Sequence, residues 1–171
     1  RRHGLELEGV RIAVLVQQLI RADVSAEIFS ANPVTGDRAE VMINASWGLG
    51  ESIVGGTVTP DTYLVSKADM RNVSRRIAEK GRMTVIARSG TREVEVPRFL
   101  RAQPALREDQ VMEMAHLAMT LEKQMGHPVD VECAYQAGRL FLLQCRSITT
   151  LAGAPAWVTT RSRPSPGTWL Y

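Results

Sequence analysis

Several things are scarce in this chain, and each scarcity excludes a class of protein. Its 171 residues hold two cysteines, Cys133 and Cys145. These are too few for a disulfide framework and lack metal-ligand spacing. They read as small, reduced core residues of a cytoplasmic protein. Aromatic residues make up only 5%, too sparse for a base-stacking surface. The net charge is +3, but the basic residues are scattered and mostly arginine, with Lys67, Lys80 and Lys123 the only lysines. A nucleic-acid surface is therefore not expected. No apolar run approaches the ~18 residues of a membrane-spanning helix. The opening RRHGLELEGV has neither an initiator Met nor a signal-peptide apolar region, and reads as the middle of something longer. The glycines form neither a Walker loop nor a dinucleotide fingerprint.

What is present is an ordinary globular composition, 44% apolar and 23% charged, in a length that suits one domain with a real core. The β-branched run VRIAVLVQQLI, Val10 to Ile20, predicts a buried strand. SAEIFSAN continues in extended form to the turn cluster Pro33-Val34-Thr35-Gly36-Asp37, and AEVMINAS reads as the antiparallel partner. DTYLVSK predicts another short strand. NVSRRIAEK and MTVIARSGTREVEV predict hairpin material turning at Ser89-Gly90. Helical spacing of Val111, Ala115, Ala118 and Met125 predicts a helix from Glu108 to Met125, with Glu108 and Asp109 at its positive end and Gly126 and Pro128 as its stop. VDVECAY and RLFLLQC complete the set. The fold class is α+β, mainly antiparallel sheet with one long helix. Residues 152–171, rich in Ala, Pro, Ser and Thr, read as a linker or tail.

The last hairpin concentrates polar groups. Alternation places Asp130 and Glu132 on one face of their strand, and Gln144 and Arg146 on one face of theirs. A two-residue loop at Ala137-Gly138 would set Glu132 and Gln144 on opposite sides of the sheet. A three-residue loop, Gln136-Ala137-Gly138, pairs 135 with 139 and brings all four to one side. The three-residue loop is the expectation. Carboxylate and amide oxygens there suit Mg²⁺, and Arg146 suits a terminal phosphate. The plainer alternative is a solvent-facing hairpin with a cross-strand ion pair. The stretch INASWGLGESIVGGTVTPD, taken by itself, permits tight turns or close approach of another chain or a ligand.

Taken in order, VLVQQLI, SAEIFSANPVTGD, INASWGLGESIVGGTVTPDTYLV, HPVDVECA and GRLFLLQCRSITTL resemble the ATP-binding domain of phosphoenolpyruvate synthase, pyruvate phosphate dikinase and rifampin phosphotransferase. The resemblance runs from Val10 to about Leu151 and rests on the ordered combination of motifs. It implies an ATP-grasp fold, with residues 1–151 as its second lobe, and Mg·ATP as cofactor. Carried over by position, it implies that Glu132 and Gln144 contact the metal and ATP. Arg146 is implied as the catalytic, phosphate-contacting arginine, and Gln17 as a residue at the adenine end. It also implies that Gly48 to Glu51 line the nucleotide cleft.

The reaction implied passes a phosphoryl group from ATP to a histidine on a swivelling domain and then to pyruvate, or to rifampin in the antibiotic-modifying branch. A non-catalytic nucleotide-binding half-domain is the further alternative. The first lobe and the swivelling domain are expected partners outside this chain. His3, His116 and His127 lie outside the family's catalytic-histidine context. Two departures stand out. Glu27 occupies a position where the family has a small or apolar residue, and Ser147 replaces a common proline.

Overall fold

A computed structural model describes residues 13–149 and 151. These fall into two units, residues 13–19 in one and those from Ile20 onward in the other.

Residues 13–20 form no strand, contrary to the expectation for Val10–Ile20, whose first three residues lie outside the described ones. Val14, Leu15, Val16 and Leu19 are exposed. A β-branched run acquires strand structure only where another strand satisfies its backbone and another layer covers its side chains. The tail assigned to 152–171 also lies outside the described residues.

From Val24 the chain follows the expected plan. β1 (Val24–Phe29) and β2 (Glu40–Trp47) pair antiparallel across the Pro33–Asp37 turn, where Asn32 Oδ1 accepts the Val34 N–H at 3.0 Å. A single helical turn, α1 (Glu51–Val54), leads to β3 (Asp61–Ser66) and β4 (Asn72–Arg76). β5 (Arg82–Ile86) and β6 (Thr91–Glu95) form a separate hairpin that turns at Ser89-Gly90. The long helix α2 (Glu108–Met125) precedes the final hairpin, β7 (Val129–Gln136) and β8 (Arg139–Ser147).

Helix α2 has the predicted bounds because its ends are chemically marked. The Arg107 N–H donates to Gln110 Oε1 at 3.0 Å. Gly126 closes the other end in the left-handed conformation (φ 74°), donating to the Glu122 carbonyl at 2.9 Å. Val111, Met114, Ala115 and Ala118 form the buried stripe, whereas Met125, in the last turn, is half exposed. No helix among the described residues is long and apolar enough to cross a membrane.

The six-stranded sheet has the order β4-β3-β2-β1-β7-β8, with every neighbouring pair antiparallel. One face, carrying Ile28, Val41, Ile43, Val65, Val129 and Val131, packs with α2 into the main core. Cys133 joins that core, and Cys145 is half-buried beside it; both are free thiols. Burial pushes the Cys133 thiol up to about 12, which suits an inert structural role.

Two motifs are absorbed by this architecture. Gly48 (φ 78°) lies so close to β5 that a Cβ there would stand 2.3 Å from the Thr84 carbonyl oxygen. The Leu49 N–H donates to that oxygen at 2.8 Å, and Ser25 Oγ donates to the Gly48 carbonyl at 2.7 Å. The glycine therefore serves a close approach of the chain to itself. Asp61, of Thr-Pro-Asp, is fully buried. Its carboxylate accepts from Lys80 Nζ at 2.5 Å, from the Ala78 N–H at 2.9 Å and from the Ala105 N–H at 2.7 Å. One buried carboxylate thus ties the start of β3 to two loops.

Candidate functional site

The turn of the last hairpin differs from expectation. Gln136 pairs with Arg139, so the loop has two residues, Ala137 (φ 50°) and Gly138 (φ 78°). Positive φ at both positions is the turn whose twist matches that of the flanking strands. With regular pairing this loop would separate Glu132 from Gln144. A β-bulge prevents that. Cys133 pairs with Leu142, whereas the preceding residue, Glu132, pairs with Gln144, leaving Leu143 as the extra residue of β8. The parity sought in the turn is supplied in mid-strand. Glu132 therefore faces Gln144, and Asp130 faces Arg146, on one side of the sheet.

That side is the one turned away from α2, since the alternating partners Val129, Val131 and Cys133 enter the core. Glu132 also stands opposite Glu27 on β1, Glu27 opposite Asn44 on β2, and Asn44 opposite Thr62 on β3. Thr62 Oγ1 donates to Asn44 Oδ1 at 3.0 Å. A polar row thus crosses the centre of the sheet, with Asp130 and Arg146 beside it.

The electrostatics of this face are lopsided. Arg146 Nε donates to Asp130 Oδ2 at 2.8 Å, and its Nη2 lies 3.9 Å from Glu27 Oε1. Glu27, Asp130 and Glu132 thus put three carboxyl groups around one guanidinium. Burial, reinforced by the Asp130 carboxylate and opposed by Arg146, pushes Glu27 up to about 7. Burial also raises Asp130, against the attraction of Arg146, and raises Glu132. Asp130 Oδ1 is buried and has no hydrogen-bond partner among the described residues, so this face retains an unused oxygen acceptor.

Of the residues singled out in the sequence, Glu132, Gln144 and Arg146 come together. Gln17 belongs to the 13–19 unit. Glu51 is exposed and its Oε2 accepts from Thr91 Oγ1 at 3.1 Å. His127 and Ser147 lie side by side, with 3.3 Å between Nε2 and Oγ. Sequence reasoning did not find Asn44 and Thr62. Asn44 stands between apolar Ile43 and Ala45, and Thr62 follows Asp61 at the start of its strand, but nothing local tells which strands they adjoin. In the sequence Glu27 stands out only as a departure from the family pattern. No group of three or more His, Cys, Asp and Glu side chains among the described residues is arranged to hold a metal ion. A cation here would need the Gln144 amide oxygen and oxygens of its own ligand.

Comparison with known proteins gives the family of the chain. The family model for the pyruvate phosphate dikinase AMP/ATP-binding domain matches residues 1–163. A probable phosphoenolpyruvate synthase of Methanocaldococcus jannaschii is 40% identical over 149 residues, covering 86% of this chain and 12% of that protein. The uncharacterized phosphotransferase YvkC of Bacillus subtilis is 39% identical over 140 residues, covering 82% of this chain and 17% of that protein. A rifampicin phosphotransferase of Streptomyces sviceus is 36% identical over 156 residues, covering 91% and 18%. The chain therefore spans under a quarter of the length of these relatives. With most of its length matched by the family model, the chain belongs to the pyruvate phosphate dikinase AMP/ATP-binding domain family.

Proposed function

We propose that this chain is the second lobe of an ATP-grasp nucleotide-binding domain, and that it binds Mg·ATP across the polar face of its sheet. The observation that carries the reading is the pairing of Glu132 with Gln144 and of Asp130 with Arg146 on the face away from α2. Carboxylate and amide oxygens form a hard donor set that fits Mg²⁺, and the buried, unpartnered Asp130 Oδ1 adds an acceptor beside them. Glu132 and Gln144 would hold the ion. Bound there, Mg²⁺ supplies neutralisation of charge on the phosphate oxygens.

Arg146 acts through its planar fork of donors, which matches a phosphoryl group better than a point charge does. On the rigid edge hairpin, its guanidinium orients the transferred group and stabilises charge on its oxygens. Phosphoryl transfer depends mainly on such positioning and electrostatics. Gln17 supports the adenine end in this reading, and Gly48–Glu51 lines the cleft.

In the full-length protein, a first lobe completes the cleft and a swivelling domain carries the histidine that receives the phosphoryl group. The acceptor is pyruvate, as the phosphoenolpyruvate synthase relatives suggest. The overall reaction then yields AMP, phosphate and phosphoenolpyruvate from ATP, water and pyruvate. A rifampin acceptor is the second reading, favoured by the 36% identical antibiotic phosphotransferase. The absence of a membrane-length helix among the described residues is compatible with action in the cytoplasm.

The test is phosphohistidine formation in the full-length protein with labelled Mg·ATP, followed by an acceptor assay with pyruvate and with rifampin. Replacing Glu132 or Arg146 with Gln should slow labelling on the order of 100-fold, as expected for loss of one charge-stabilising group. Undiminished labelling in both variants would remove the site from this face.

A further inference from the structure

Arg146 is held by more than its cross-strand partner. Its Nε is fixed by Asp130 on β7 at 2.8 Å, and the far side of its guanidinium is drawn toward β1, where Glu27 Oε1 lies 3.9 Å from Nη2. The group therefore leans from β8 across β7 toward the middle of the sheet. Glu27 is fixed there by register, between Asn44 and Glu132, and its side chain is only 18% exposed. At 3.9 Å the attraction is Coulombic, without a close hydrogen bond. It can be surrendered to a stronger anion.

We propose that Glu27 is a positioning residue that competes with the phosphate of the nucleotide for Arg146. This rests on the reading of Arg146 as the phosphate-contacting group. In the ligand-free chain, Asp130 and Glu27 together hold the guanidinium over the sheet. A phosphoryl group arriving with its metal must take Nη2 from Glu27, while Asp130 keeps hold of Nε. Glu27 thereby lowers the affinity of the site for phosphate-bearing ligands and leaves recognition of the nucleoside untouched. An apolar residue at position 27 would remove this competition.

The experiment is a double-mutant cycle on the full-length protein, with Mg·ATP and adenosine titrated calorimetrically into wild type, Glu27→Gln, Arg146→Gln and the double variant. Arg146→Gln keeps a donor for Asp130, and Glu27→Val serves as a second, apolar replacement. Glu27→Gln and Glu27→Val should each bind Mg·ATP about two- to fivefold more tightly, the range set by one partly screened ion pair. Glu27→Asp should remain close to wild type, adenosine affinity should not change, and the gain should vanish when Arg146 is replaced. Absence of the gain, or its persistence without Arg146, overturns the proposal; persistence would mean that Glu27 repels phosphate directly. Should Arg146→Gln itself leave Mg·ATP affinity unchanged, the phosphate role of Arg146 fails, a result distinct from an arginine effect uncoupled from Glu27.

Discussion

Glu27 and Glu132 are direct cross-strand neighbours, on β1 and β7, on the face of the sheet that α2 does not cover. Like charges so placed destabilise a sheet, and partial burial adds to the cost of ionising them. The site therefore holds negative charge at appreciable expense to the fold.

That expense should depend on pH. The Glu27 carboxyl is raised from 4.5 to about 7 by burial and by Asp130, so the folded chain favours its protonated form. The stabilisation is fully present below pH 4.5 and is lost as pH rises through 7. In EDTA, denaturant unfolding at pH 5 and pH 8 should show wild type losing up to roughly 3 kcal/mol relative to Glu27→Gln, at about 1.4 kcal/mol per pH unit. Parallel pH profiles for the two proteins would contradict this account.

Gly48 should tolerate no side chain. Its φ of 78° disfavours any L-residue, and a Cβ would meet backbone, the Thr84 carbonyl oxygen at 2.3 Å. Gly48→Ala is expected to cost at least about 2 kcal/mol, from strain at a special backbone position. Hydrogen exchange should quicken first at the Leu49 N–H, which donates to Thr84. Unchanged protection at that amide would show that the glycine is dispensable.

The Lys80–Asp61 pair is wholly removed from solvent. Lys80→Met should cost about 3–5 kcal/mol by leaving a buried carboxylate without its counter-charge. The two backbone donors from Ala78 and Ala105 soften that cost without removing it. Replacing both members with apolar residues should be less harmful than replacing Lys80 alone. Thermal unfolding of the single and double variants decides the matter, and a harmless Lys80→Met would refute it.

The turn of the last hairpin offers a stabilising change. Ala137 adopts φ 50°, which an alanine enters at a cost and glycine or asparagine does not. Ala137→Gly should raise stability by roughly 0.5–1 kcal/mol without altering Mg·ATP affinity, because the turn fits its hairpin already. A lower unfolding midpoint would show that denatured-state entropy outweighs the relief of strain.

The wrong turn and the right face teach the same lesson from two directions. Counting residues from the loop required an odd number of connecting residues, yet the loop has two and the odd residue is Leu143. A bulge has no strong local sequence signature; it arises where twist and core packing require it. Residues 13–20 form no strand for a related reason. Their composition favours an extended chain, but a strand exists only with a partner.

The sequence alone determined the local elements: the bounds of α2, the Gly126 stop, the strand hairpins and the alternation that set Glu132 apart from Val131 and Cys133. These follow from periods of 3.6 and 2 and from backbone angles that glycine accepts, all of them properties of neighbouring residues. Only the tertiary structure decided that β1 lies between β2 and β7, which brings Glu27 to Glu132 and within reach of Arg146. Strand order is set by burying one face of many segments at once and by satisfying backbone donors and acceptors far apart in the chain. No short stretch contains that information.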